Sequence, residues 1–155
     1  MEAVLLIGAQ ASGKTTFYRR RFADTHAWIN RDTLGTPARE RDALARALVS
    51  RQPWVLDRTN AVAADRAKTI AAAKQRGFRV VGYFFRSELK DLLARNGRRE
   101  GREKIPPAGV IATFKRLQPP TAAEGYDELY EVRVEPGGDF AVEPMREAGP
   151  PPGSR

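Results

Sequence analysis

The sequence contains no cysteine. Disulfide bonds and cysteine-ligated zinc are therefore excluded. A single histidine, His26, cannot assemble a histidine metal site, and it reads as a surface turn residue. Lysine is scarce: six of the 27 basic residues, against 21 arginines. No apolar run approaches the roughly 18 residues needed to span a bilayer. No charged-then-apolar leader opens the chain. The expectation is a cytoplasmic protein with no membrane partner.

What is present is a chain of 155 residues, a length that suits one domain. The apolar fraction of 41% is ordinary and predicts a globular core. The net charge is +8, with a pI near 10.3. A basic balance favours polyanionic partners such as nucleic acid. The plain alternative is a composition in which arginine merely stands in for lysine. Only the position of the charges can decide between them.

Strand and helix signals alternate along the chain. Residues 2–7 form a short apolar run ending at Gly8, as a buried parallel strand does. Residues 14–23 look helical, and Ala27 to Ile29 suit a short strand. Thr36-Pro37 opens a helix that carries Leu44 and Leu48 on one face. Trp54-Val55-Leu56 is a second buried strand, ending at Asp57. An alanine-rich helix over 63–76 is closed by Gly77. Phe78 to Phe85 is a third strand, and Ser87 is placed to cap the following helix through Leu89, Leu92 and Leu93. Pro106-Pro107 opens a further helix that Pro119-Pro120 terminates. Glu128 to Val134 is the last long strand, with a hairpin to Asp139–Val142. The pattern predicts an α/β fold, a mostly parallel sheet with helices on both faces, over residues 1–142. The Pro/Gly-rich segment 143–155 reads as a disordered tail. Ligands in such sheets bind at the carboxyl ends of the strands, where Gly8, Asp57 and Arg86 sit.

Residues 8–15, Gly-Ala-Gln-Ala-Ser-Gly-Lys-Thr, match the P-loop pattern G-x-x-x-x-G-K-[ST] between an apolar strand and a helix. Gly8 and Gly13 let backbone N–H groups turn around phosphate oxygens. The helix that follows points its positive end at the same phosphates. Lys14 brings an ammonium to the β- and γ-phosphates, and Thr15 offers a hydroxyl to Mg²⁺. The cradle is thus Gly8, Ala11, Ser12, Gly13, Lys14, Thr15 and Thr16, and its ligand is ATP or another nucleoside triphosphate with Mg²⁺.

Three more segments bear on the chemistry. Asn30-Arg31-Asp32-Thr33-Leu34-Gly35 offers Asp32 as the carboxylate that holds and deprotonates an acceptor hydroxyl, or as an acid in an ordinary turn. Asp57-Arg58-Thr59-Asn60 offers Asp57 to water-bound Mg²⁺, or as a cap for the next helix. Residues 95–102 hold Arg95, Arg98, Arg99 and Arg102. If the helix continues, Arg95/Arg99 and Arg98/Arg102 are i,i+4 pairs that could neutralise a transferring phosphoryl group from a glycine-hinged lid. A solvated basic face, paired locally with Glu100 and Glu103, is the ordinary alternative. Trp54 reads as core. Trp28 and Tyr18 suit core packing better than stacking on a base.

These segments together resemble the P-loop polynucleotide 5′-hydroxyl kinases, from Ala3 to about Val134. The Walker A loop, the Asn30–Gly35 segment, a D-x-T-N strand end at Asp57–Asn60, an R-N-x-x-R lid from Arg95, and the close Pro120-Thr121-Ala122-Ala123-Glu124-Gly125-Tyr126 carry the resemblance. It implies Asp32 as general base on a 5′-hydroxyl of DNA or RNA. It implies Lys14 and Thr15 for ATP and Mg²⁺, and Arg95 and Arg99 as catalytic lid arginines on the phosphates. Gly35 departs from the phage kinase, which carries there an arginine for the acceptor's 3′-phosphate; Arg39 is the available replacement. Arg58 stands where relatives have Asp or Asn, and one extra residue separates Arg99 from Pro106. A small-molecule kinase on the same scaffold, and a non-catalytic nucleotide-binding module, are the alternatives. A monomer or small homo-oligomer is expected.

Overall fold

The computed structural model describes residues 1–145, the side chain of Arg102 excepted. Six strands form one sheet in the order β2-β3-β1-β4-β5-β6. They are β1 (Glu2–Ile7), β2 (Ala27–Asn30), β3 (Trp54–Asp57), β4 (Arg79–Phe85), β5 (Glu128–Val134) and β6 (Phe140–Pro144). The first five are mutually parallel, and β6 returns antiparallel to β5. The helices are α1 (Lys14–Arg21), α2 (Arg31–Leu34), α3 (Pro37–Ser50), α4 (Ala63–Gln75), α5 (Leu89–Gly97) and α6 (Pro107–Arg116). This is the expected α/β architecture, a mostly parallel sheet between helical layers.

The central strand explains why β1 reads as an unbroken apolar run. Ala3, Leu5 and Ile7 enter one core with Trp54, Ile70, Ala73 and Phe78. Val4 and Leu6 enter the other with Phe17, Tyr18, Phe22 and Phe85. Both faces are covered, so both sets of alternating side chains must be apolar. A third small cluster, Ala9, Leu92 and Val110, seats α5 and α6 beside the loop after β1.

Several boundaries move by a few residues for identifiable reasons. Helix α5 starts from Glu88 rather than Ser87, and no side chain caps it. Strand β6 runs to Pro144, and Met145 N donates to Leu129 O, so the fold extends past residue 142. The rest of the expected tail, 146–155, lies outside the described residues. His26 is not a plain surface residue: its ring contacts Glu2 and Thr25 and packs edge-on against Phe22. Trp54 is core, as expected. Among the described residues no helix is long and apolar enough to cross a membrane.

Strand order places the site. The chain leaves β1 toward β2 on one side and reaches β4 on the other. The carboxyl ends of β1 and β3 therefore flank an open crevice, the topological switch point of the sheet.

Candidate active site

The loop after β1 wraps closely because two glycines allow it. A Cβ on Gly8 would stand 2.8 Å from Ser12 Oγ and 2.9 Å from Phe85 Cβ. Gly13 has φ +99° and begins α1 in the left-handed region. Ala11 also has a positive φ, +66°, unusual for a residue with a Cβ. Its carbonyl accepts from Arg95 NH1 at 2.9 Å, which ties the loop to α5.

Lys14 Nζ donates to the carbonyls of Gly8 and Ala9, both at 2.8 Å. The ammonium is buried, and burial lowers its pKa to about 8, with Asp57 and Asp32 pulling it up and Arg99 pushing it down. Thr15 Oγ1 donates to Asp57 Oδ2 at 2.9 Å. The same oxygen accepts from Trp28 Nε1 at 2.9 Å. Asn30 donates from Nδ2 to the Asp57 carbonyl at 3.1 Å, while its Oδ1 accepts from Thr33 N and starts α2. So β2 and β3 together set the position of Asp32, one residue into α2. Asp57 is not a helix cap: α4 starts six residues on, from Val62.

These groups line one cleft of about 400 Å³. Ala11, Ser12, Gly13, Lys14, Thr15, Asp32, Asp57 and Arg99 are all in its wall. Three expected residues are not. Gly8 spends its N–H on the Thr59 carbonyl, Thr16 points to solvent on α1, and Arg95 is engaged with the Ala11 carbonyl. Arg86 pairs with Glu131 on β5. The lid is not one continuous helix: α5 ends at Gly97, so Arg95 and Arg99 are not helical neighbours. The loop beyond is closed at its base by the buried Asn96, which donates to Ile105 O at 2.7 Å and accepts from Ile105 N at 3.1 Å. Arg98 turns back to the Ala94 carbonyl, away from the cleft.

Four further residues of the lining are given no role by the sequence. Arg116 comes from the last turn of α6, and Gln10, Arg31 and Arg58 line the same wall. Gln10 lies within the P-loop motif, and tertiary proximity alone brings the other three to it. Trp28 is likewise legible only in three dimensions: it stacks on Tyr18 at 5.4 Å and holds Asp57. Gly35 has φ +90° and closes α2, its N–H donating to Arg31 O. That conformation favours glycine over any longer side chain. Arg39 lies outside the cleft lining, and among the described residues its guanidinium donates only to the Leu34 carbonyl.

The Asp57–Asn60 strand end and the Glu124–Tyr126 close prove to be one assembly. Asn60 Nδ2 donates to Leu6 O at 2.7 Å, and Asn60 O accepts from Arg66 NH1 at 2.7 Å. Arg66 forks onto both Glu124 oxygens at 2.7 and 3.0 Å, and Tyr126 OH adds a third donor. Burial raises the Glu124 carboxyl, but the bonds from Arg66, Thr121 N and Tyr126 together with the Arg66 charge outweigh it and hold the group below the usual range. This clasp ties the loop after β3 to the segment before β5. Arg66 and Glu124 support the crevice without lining it.

No protein-family model matches the chain. Solved structures match its fold. A gluconokinase from Sinorhizobium meliloti 1021 superposes with a TM-score of 0.62 at 20% identity, over 87% of this chain and 84% of that one. Chaetomium thermophilum Kti12 in complex with ADP-AlF3 gives 0.65 at 18% identity, over 84% and 88%. The AvrRxo1-ORF1:-ORF2 complex with ATP gives 0.70 at 15% identity, over 91% of this chain and 57% of that one. The mostly parallel sheet between helical layers is therefore the fold that these structures share.

Proposed function

We propose that the protein is an ATP-dependent kinase that transfers the γ-phosphate to an alcohol, and that the acceptor is the 5′-hydroxyl end of DNA or RNA. One observation carries the reading. Asp32, a carboxylate with no hydrogen bond or ion pair among the described residues, shares a cleft with a P-loop whose Thr15 meets the strand-end Asp57. A nucleotide-binding module needs the second feature and has no use for the first. Kti12 and the AvrRxo1 complex were solved with ADP-AlF3 and ATP, which supports a nucleotide here.

The residues suit Mg²⁺-ATP. A hydroxyl and a carboxylate lie side by side at Thr15 and Asp57, as a P-loop metal site requires. Mg²⁺ bound there would neutralise charge on the β- and γ-phosphates. Lys14 would exchange the carbonyls of Gly8 and Ala9 for phosphate oxygens. Asp32 would accept the proton of the acceptor hydroxyl as its oxygen bonds to the γ-phosphorus and the bridging P–O bond to ADP breaks. Arg99 would stabilise the charge on the phosphoryl group in flight.

The cationic wall supports a polyanionic acceptor. Lys14, Arg31, Arg58, Arg99 and Arg116 outnumber Asp32, Asp57 and Asp65 around the cleft. Single-stranded nucleic acid is held mainly through such charges. The likeness to a gluconokinase favours a second reading, a small polyol acceptor. Transfer of labelled γ-phosphate to a 5′-hydroxyl oligonucleotide tests the first. Transfer should strengthen with acceptor length and weaken with salt, and Asp32→Ala should lower kcat about 10²–10⁴-fold. Absence of transfer from wild type, or undiminished transfer by Asp32→Ala, refutes the assignment.

A further inference from the structure

Two guanidiniums stand on the cleft wall outside the phosphate cradle. Arg31 opens α2 immediately before Asp32, and Arg58 immediately follows Asp57. Both converge on Glu40 of α3, whose side chain is only 7% exposed. Arg31 donates from Nε to Oε2 at 3.0 Å and from NH2 to Oε1 at 3.2 Å. Arg58 donates from NH1 to Oε1 at 2.7 Å, and its Nε donates to Asn60 Oδ1 at 3.1 Å. Burial raises the Glu40 carboxyl, but these hydrogen bonds more than offset it and keep the group ionised.

The arrangement has more positive charge than a brace requires. The Arg31 fork alone satisfies both oxygens of Glu40. Adding Arg58 leaves the trio itself with one net unit of positive charge, two guanidiniums facing one carboxylate. None of Asp32, Asp57 and Asp65, the other carboxylates of the cleft, forms an ion pair with either arginine among the described residues, although Asp32 acts on Arg31 at longer range. Arg31 keeps 40% of its side chain exposed and Arg58 27%, and both line the cleft. The N–H groups not committed to Glu40 or Asn60 have no acceptor among the described residues.

We propose that Arg31 and Arg58, held by Glu40, form a seat for an oxyanion carried by the acceptor itself, beside the hydroxyl that Asp32 engages. The inference rests on the kinase reading and narrows its acceptor: a hydroxyl compound that also bears a phosphate or a carboxylate. Either group accepts two parallel N–H bonds from a guanidinium and would complete an alternating arrangement of charges with Glu40. Gly35 and Arg39 leave this role open, since one has no side chain and the other donates to the Leu34 carbonyl.

The test is equilibrium binding of three probes with the P-loop saturated by a non-hydrolysable ATP analogue and Mg²⁺. The probes are a nucleoside 3′-monophosphate, the parent nucleoside, and gluconate. Wild type should bind at least one anionic probe about tenfold or more tighter than the nucleoside. Arg58→Gln should erase that preference and Arg58→Lys restore part of it, with melting curves confirming folded variants. Preference for the monophosphate marks a nucleotide acceptor, and preference for gluconate a sugar acid. If Arg58→Gln does not fold, inorganic phosphate supplies the second readout: it should displace the anionic probe from wild type and leave nucleoside binding unchanged. Equal binding of charged and uncharged probes overturns the seat, as does an anionic preference that survives Arg58→Gln. Phosphate that fails to compete overturns it too. Failure of the kinase reading is distinct, being absence of γ-phosphate transfer to any of these acceptors.

Discussion

Trp28 donates its indole N–H to Asp57 Oδ2 at 2.9 Å, on the same oxygen that receives the Thr15 hydroxyl. An edge-strand aromatic thereby orients the carboxylate at the candidate metal position. Trp28→Phe keeps an aromatic ring beside Tyr18 and removes the N–H donor together with the pyrrole ring. Removing such an outer partner should weaken Mg²⁺ about 10–100-fold while nucleotide binding in chelator is retained. Activity titrated with Mg²⁺ at saturating ATP measures the first, and nucleotide binding in EDTA the second.

Lys14 gives the protein two opposite pH dependences. Its pKa in the folded, nucleotide-free protein is about 8, against 10.5 for an unperturbed lysine. Below pH 8 both folded and unfolded chains hold the proton, and the folded one bears the cost of burying it. Between the two values the unfolded chain holds more protons, so stability should rise with pH across that window. Phosphates favour the ammonium, so ATP affinity should instead fall above pH 8, by up to about tenfold per pH unit. Lys14→Met should remove both trends. Thermal melts and ATP Kd measured over about pH 7 to 9.5 decide it.

The Arg66–Glu124 clasp should matter to stability more than to chemistry. Arg66 has a fully buried side chain and makes a forked pair with Glu124. Arg66→Ala leaves that carboxylate buried without its cation and should cost about 3–5 kcal/mol in urea unfolding. Combining it with Glu124→Gln should recover part of the loss, because no unpaired charge then remains. ATP Kd at a temperature where the variants stay folded should move little.

Glycines 82 and 97 should respond oppositely to alanine. A Cβ on Gly82 would stand 2.7 and 2.8 Å from Tyr126 ring atoms and 2.9 Å from Leu129. Gly82→Ala should destabilise by about 1–3 kcal/mol through overpacking. Nothing lies within 4 Å of a Cβ on Gly97, whose φ is negative. Gly97→Ala should stabilise by about 0.4–1 kcal/mol. Denaturant midpoints for the two variants check the contrast.

The P-loop is legible in the amino-acid sequence because its chemistry is local. Gly8, Gly13, Lys14 and Thr15 act through backbone geometry and short reach within eight consecutive residues. The sheet is legible because burial on two faces demands unbroken apolar runs at β1, β3 and β4. The lid arginines are not, because Gly97 ends α5 and breaks the helical spacing on which the Arg95–Arg99 pairing depends. The Glu124-Gly125-Tyr126 close carries a family resemblance, yet its side chains hold Arg66 and Gly82 and never reach the cleft. Arg31, Arg58 and Glu40 lie up to 27 positions apart, and their approach depends on β2 and β3 being neighbours. Local sequence therefore determined the P-loop pattern and the strand that carries it. Only the packing of strands decided which charges surround that loop, because long side chains from separate elements meet through strand order and not through spacing.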